Sequence, residues 1–149
     1  MRAVVQRVSQ ASVEIQGQIV GSIGPGLLVL LGISQSDTET QAAVLADKIT
    51  NLRIFPDADD KLNLALKDVN SQVLVVSQFT LWGDCAKGRR PSFERAASGE
   101  QAKPLYDYFI QRMRNQGLTV ATGSFGAMMQ VHLTNQGPVT LLLDTEKMF

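Results

Sequence analysis

A chain of 149 residues, 44% hydrophobic and 19% charged, has the length and composition of one globular domain with a full core. Its formal charge of +0 and pI of about 6.6 exclude a general electrostatic attraction to nucleic acid or membrane, so a polyanionic partner has to be held by a local patch. One cysteine, Cys85, excludes an intrachain disulfide and fits a reducing compartment. No apolar run reaches the ~18 residues of a spanning helix, and the N-terminus has no signal-peptide pattern. A soluble, cytoplasmic protein without membrane association is expected.

Residues 2–15, "RAVVQRVSQASVEI", are valine-rich and predict a long, bent strand, with "GQIV" pairing to it across a turn near Gly17. After the turn "GSIGPG", the wholly apolar "LLVLLGI" predicts a strand buried on both faces. "SDTETQAAVLADKITNL" predicts the first helix. Ser36 and Glu39 have capping-box spacing, and Ala42, Leu45, Ile49 and Leu52 recur at helical period. "IFPDADDKLNLAL" reads as a loop leading to a short strand. "SQVLVVSQFTLWGD" begins as a buried strand and turns polar at Ser77, and "CAKGRRPSFERAASGE" is a polar connection. The second helix is expected over about 101–116, with Leu105, Phe109 and Met113 on one face, Ser98 and Gln101 at capping-box spacing, and Pro104 awkward inside it. "FGAMMQVHLT" and "VTLLLD" read as closing strands. No repeat, linker or low-complexity tract divides the chain, so 1–149 is expected to be a single domain. The predicted class is α+β: a mostly antiparallel sheet or small barrel-like β core with two main helices packed outside.

The candidate chemistry begins at "SQFT", residues 77–80. A strand as apolar as "VLVV" that ends in Ser77, Gln78 and Thr80 either floors a pocket or emerges into solvent. In the first case, backbone N–H groups at the bend can face a developing oxyanion. Thr80 as a nucleophile would need an activating base, and the only histidine, His132, lies in a strand pattern. Cys85 follows Asp84 and precedes a basic loop, but has no partner in the pattern. One histidine and one cysteine make no zinc site, and "DADDKLNLALKD" departs from a calcium loop at Leu62 and Asp68, so no metal or cofactor is expected. Lys87, Arg89, Arg90 and Arg95 form the best candidate contact for a nucleic-acid backbone, with an ordinary exposed loop as the alternative. Arg7 shares a strand face with Ala3, Val5, Ala11 and Val13. There it needs acceptors such as backbone carbonyls, unless a bulge shifts the register and turns it to water. The stretch "NQGPVT" is either a hairpin turn or a displayed Gly-Pro pair.

Taken together, "VVQRVSQASV", "GLLVLLGI", "RIFPD", "VLVVSQFTL", "RRPSF", "LYDYF" and "NQGPVT" resemble the D-aminoacyl-tRNA deacylases over nearly the whole chain and in the same order. The resemblance implies a homodimer with its sites at the interface. The implied activity is hydrolysis of the ester joining a D-amino acid, or misattached glycine, to the 3′-terminal adenosine of tRNA. It implies that Gly137 and Pro138 form a cis pair entering the partner's site, their carbonyls holding the substrate α-ammonium and excluding an L side chain. It further implies that Arg7 secures this pair and that Ser77, Gln78, Phe79 and Thr80 form the opposite wall. Phe125 and Met129 would lie near the adenine. The Phe79 and Thr80 N–H groups are the expected oxyanion donors, with the ribose 2′-hydroxyl assisting the water. A covalent mechanism through Thr80 and a non-catalytic RNA-binding module are the rival readings. One departure is Gln136, where many members carry aspartate. It removes a negative charge near a cationic group.

Overall fold

In the computed structural model, which describes residues 1–149, a mixed sheet curls nearly into a barrel and two helices cover its outer face. The strands are β1 (Arg2–Ile15), β2 (Gln18–Ile23), β3 (Gly26–Gly32), β4 (Phe55–Pro56), β5 (Leu62–Leu64), β6 (Gln72–Ser77), β7 (Val120–Thr122) and β8 (Gln130–Asp144). Helix α1 spans Glu39–Thr50 and α2 spans Gly99–Asn115. The main sheet runs β2-β1-β3-β6-β7, with β8 on the other side of β1. Pairs made by β1 are antiparallel, whereas β3/β6 and β6/β7 are parallel. The two parallel pairs follow from the long connections that carry α1 and α2, as such crossovers require. The sheet's two end strands approach closely: a Cβ added at Gly21 of β2 would lie 2.2 Å from the Thr122 carbonyl oxygen of β7.

Strands β3 and β6 are apolar because both of their faces are covered. Leu27, Val29, Leu31, Val73 and Val75 pack against the helices in the larger core cluster. Leu28, Leu74 and Val76 join a second cluster on the opposite face. Strand β1 contributes to both in sequence: Ala3 and Val5 to the helix side, Val8, Ala11 and Val13 to the other. The switch has a local cause. Opposite β8, β1 slips by one residue between Val8 and Gln10, and a one-residue slip exchanges the faces of every later side chain. Arg7 therefore does not share a face with Ala11 and Val13, as unbroken alternation predicts.

The helices differ from expectation at their starts. The capping box of α1 is Thr38 with Gln41, not Ser36 with Glu39. The Thr38 N–H donates to Gln41 Oε1 at 2.9 Å, and Thr38 Oγ1 accepts from the Thr40 N–H. Both pairs have the same spacing, but the Ser34 N–H donates to Asp37 Oδ2, and this turn before the helix excludes Ser36 as cap. Leu52 lies beyond the end of α1, half-buried against the core. Ser98 does cap α2, accepting from the Gln101 N–H, while the Gln101 amide donates to the Gln35 carbonyl oxygen. Pro104 lies within α2 on its exposed side, where it removes the bond an N–H would make to the Glu100 carbonyl oxygen. Residues 125–129, expected as strand, form a turn before β8. "NQGPVT" lies inside β8 instead of separating two strands. Gln6 pairs with Thr140 and Val8 with Asn135, so residues 136–139 bulge out opposite Arg7.

No helix is long and apolar enough to cross a membrane.

Candidate active site

Strand β6 is buried through Val76, and at Ser77 it reaches the rim of the core. The Gln78 N–H still donates to the Leu31 carbonyl oxygen at 2.8 Å, and the chain then breaks into a 3-10 turn, Phe79–Trp82. Packing holds this turn tightly. A Cβ at Gly32 would stand 2.9 Å from the Gln78 carbonyl oxygen and 2.9 Å from Leu81 Cβ. Trp82 is buried with Arg2 and Arg95 against its ring, 4.0 and 4.8 Å from the centroid. Arg2 also donates to the Leu81 carbonyl oxygen. The Leu81 N–H donates to Gln78 and that of Gly83 to Thr80, so the Phe79 and Thr80 amides stand at the open start of the turn.

Two cavities adjoin this stretch. The first, about 310 Å³, is lined by Ser77, Gln78 and Phe79, by Leu31 and Ile33, by the small residues Ala97, Gly99 and Ala102, and by Phe125 and Gly126. The second, about 360 Å³, shares Ser77, Gln78 and Phe79 and adds Met129 with its neighbours Met128 and Val131. Neither is lined by an ionisable side chain. Phe125 is positioned by Tyr106, whose ring centroid is 5.5 Å away. The Tyr106 hydroxyl donates to the Val75 carbonyl oxygen at 2.8 Å, and burial pushes its pKa up to about 12. Phe79 is 56% exposed and rests edge-on against Phe93, 5.1 Å between centroids. The arrangement suits a flat, neutral group held between aromatic and small residues, with amide and hydroxyl dipoles at one side.

Thr80 is exposed, and its Oγ1 accepts from the Gln78 side-chain amide. An amide donor is no base, so this hydrogen bond does not activate Thr80 as a nucleophile. His132 pairs with Glu14 at 3.1 Å, and it lines neither cavity. Cys85 is exposed and free. No group of three or more His, Cys, Asp or Glu is arranged to hold a metal ion.

Arg7, Gly137 and Pro138 form a separate cluster that lines neither cavity. The Gly137–Pro138 peptide bond is cis, and both residues are exposed at the tip of the bulge. Arg7 does not turn to water: Nε donates to the Gln136 carbonyl oxygen at 3.0 Å and Nη1 to the Ile54 carbonyl oxygen at 2.7 Å. The acceptor at 136 is main chain, so this contact does not depend on which side chain stands there. Asn135 and Thr140 close the base of the bulge, Nδ2 to Oγ1 at 2.9 Å, and the Val139 N–H donates to Asn135 Oδ1. Of the residues singled out from sequence, Ser77, Gln78, Phe79 and Phe125 come together on the first cavity, and Met129 joins the second. Sequence reasoning missed Ile54, Phe93 and Tyr106, along with the small residues at the start of α2. The one signal for the last group was the run of small residues around Ser98.

A family model described as D-Tyr-tRNA(Tyr) deacylase matches residues 4–144. A protein of Syntrophotalea carbinolica named "D-aminoacyl-tRNA deacylase" is 58% identical across 100% of both chains. One of the same name from Thermosipho melanesiensis is 56% identical, also over 100% of both. Among solved structures, a "c-Myc DNA Unwinding Element Binding Protein" superposes with a TM-score of 0.92 at 43% identity, covering 97% of this chain and 99% of the other. A "probable eukaryotic D-amino acid tRNA deacylase" superposes at 0.79 with 18% identity, over 95% and 97%, and at that identity it speaks to the fold alone.

Proposed function

The chain belongs to the D-Tyr-tRNA(Tyr) deacylase family, whose members are ester hydrolases, and from that premise we propose that residues 1–149 act as one domain that hydrolyses D-aminoacyl-tRNA. The products are the free D-amino acid and tRNA, and misattached glycine is removed in the same way. The observation that carries this reading is the pair of cavities around Ser77, Gln78 and Phe79, without an ionisable side chain among their linings. An aminoacyl ester is already activated, so orientation, an oxyanion hole and a placed water suffice.

In this scheme the terminal adenosine lies by Phe125 and Met129, and Ser77 and Gln78 wall the ester. Water attacks the carbonyl carbon with the substrate's 2′-hydroxyl as its proton relay. The charge that develops on the carbonyl oxygen meets the Phe79 and Thr80 amides, each such donor being worth about 2.7–4 kcal/mol. The 3′-oxygen then leaves with a proton. The Gly137 and Pro138 carbonyls receive the α-ammonium, and an L side chain would collide with them. Gly137 and Pro138 are exposed and line neither cavity of their own chain, which supports their delivery into a second copy's cleft in a homodimer. The scheme invokes no cofactor or metal. Its substrate assigns the protein to the cytoplasm, which a free, exposed Cys85 also favours.

A second reading, nucleic-acid binding without turnover, is favoured by the exposed basic loop near Arg89 and by the name of the 43% identical structure. One assay separates the two. Incubation with D-tyrosyl-tRNA, glycyl-tRNA and L-tyrosyl-tRNA is expected to release D-tyrosine and glycine and to spare the L-ester. Binding without release, or equal release of both tyrosine enantiomers, rejects the proposed function.

A further inference from the structure

Between the 3-10 turn and α2 the chain makes an arm that the reaction scheme does not use. Asp84 and Ser92 pinch its base, each N–H donating to the other's carbonyl oxygen at 2.7 and 2.9 Å. Within the pinch, Asp84 Oδ1 accepts from the Ala86 N–H, so this carboxylate is turned onto the backbone at the base. Residues 85–91 are all exposed, with Gly88 at φ +73°. Lys87, Arg89 and Arg90 project from this short arc, and none of them takes part in an ion pair. Arg95, the fourth cation of the sequence cluster, is different: it pairs with Glu146 and lies over Trp82. One residue past the pinch, Phe93 packs on Phe79, the wall shared by both cavities. The arm is thus braced against the site itself.

The geometry points to residues 85–91 as a phosphate-gripping arm that holds the 3′ strand of tRNA through Lys87, Arg89 and Arg90, with the terminal adenosine in the adjoining cavity. This rests on the deacylase reading above and adds the contact that the neutral cavities lack. On a protein of zero formal charge, three unpaired cations on one arc make a local site for a polyanion. Phosphates are regularly spaced and carry no base identity, so an exposed arm with two guanidinium forks suits them and suits tRNAs of different sequence.

The test compares wild type with the triple variant Lys87→Ala, Arg89→Ala, Arg90→Ala on two substrates, D-tyrosyl-tRNA and 3′-D-tyrosyl-adenosine, which has no phosphate. On the tRNA, kcat/KM is expected to fall at least about tenfold, mainly through KM. The salt slope should flatten by about two, since each single-strand phosphate contact contributes about 0.7. On the adenosine ester the rate is expected to stay within about twofold, which also serves as the control for folding. Equal losses on both substrates, or an unchanged rate and slope on tRNA, overturn the proposal. If wild type cleaves neither ester, the deacylase reading fails by itself. The arm is then judged on binding of uncharged tRNA, where the same flattening in the variant supports it and identical slopes reject it.

Discussion

Arg7 works as a bracket. Its planar fork spans the Gln136 and Ile54 carbonyl oxygens, tying the bulge of β8 to the segment before β4. Gly137 beside it has φ +130°, and a Cβ there would lie 2.8 Å from Arg7 Nη2 and 2.9 Å from Val139 Cγ2. Gly137→Ala therefore combines backbone strain of about 1–3 kcal/mol with displacement of the bracket. The expected result is a loss of at least about tenfold in kcat/KM on D-tyrosyl-tRNA, with the circular dichroism spectrum retained. A variant with wild-type kinetics would show that the bulge tip plays no part. Thr80 is the opposite case. Its hydroxyl meets only the Gln78 amide, and the proposed donor at this position is the main-chain N–H. Thr80→Ala should lose less than about tenfold. A drop of several orders of magnitude, or a burst of trapped acyl-enzyme in wild type, would restore the covalent mechanism.

At the scale of elements, the site depends on how β6 ends and on what α2 holds against it. The Tyr106 hydroxyl joins α2 to the middle of β6 while its ring supports Phe125. Tyr106→Phe keeps the ring and removes the bond, so denaturant melts should show a loss of about 1 kcal/mol. The phenol pKa is raised from 10.0 to about 12 by burial, so the folded state favours the protonated form. That contribution is complete below pH 10 and is lost as pH rises towards 12. The difference between wild type and variant should shrink over that window, and a difference that grew there would contradict the buried donor. The ends of the helices were only partly readable. The period of α1 marked its buried face through Ala42, Leu45 and Ile49, but the spacing put its cap at Ser36 with Glu39, whereas Asp37 holds the Ser34 amide and the box forms at Thr38 with Gln41.

For the whole molecule, the curled sheet leaves β8 paired on one side only, with its bulge facing outward and Leu133 and Leu142 exposed along it. A strand edge of fifteen residues invites a partner. Sedimentation is expected to give twice the 16.2 kDa chain mass. A monomer that still discriminates D from L would remove the reason for assigning Gly137 and Pro138 to a neighbour's cleft.

The order of motifs, the doubly buried β3 and β6, the apolar stripe of α1 and the polar end of β6 were all present in the sequence, because each is a periodicity or a contrast carried by adjacent residues. What it could not contain was register. Whether "NQGPVT" turns the chain or bulges from it depends on how β8 bonds to β1, more than a hundred positions away. The one-residue slip in β1 likewise sends Ala11 and Val13 to the face opposite Ala3 and Val5. The cavities assemble from residues as distant as Leu31 and Gly126, and the acceptors of Arg7 lie 47 and 129 positions from it. Hydrogen bonding between strands and packing between distant segments decide such matters, and no local pattern encodes them.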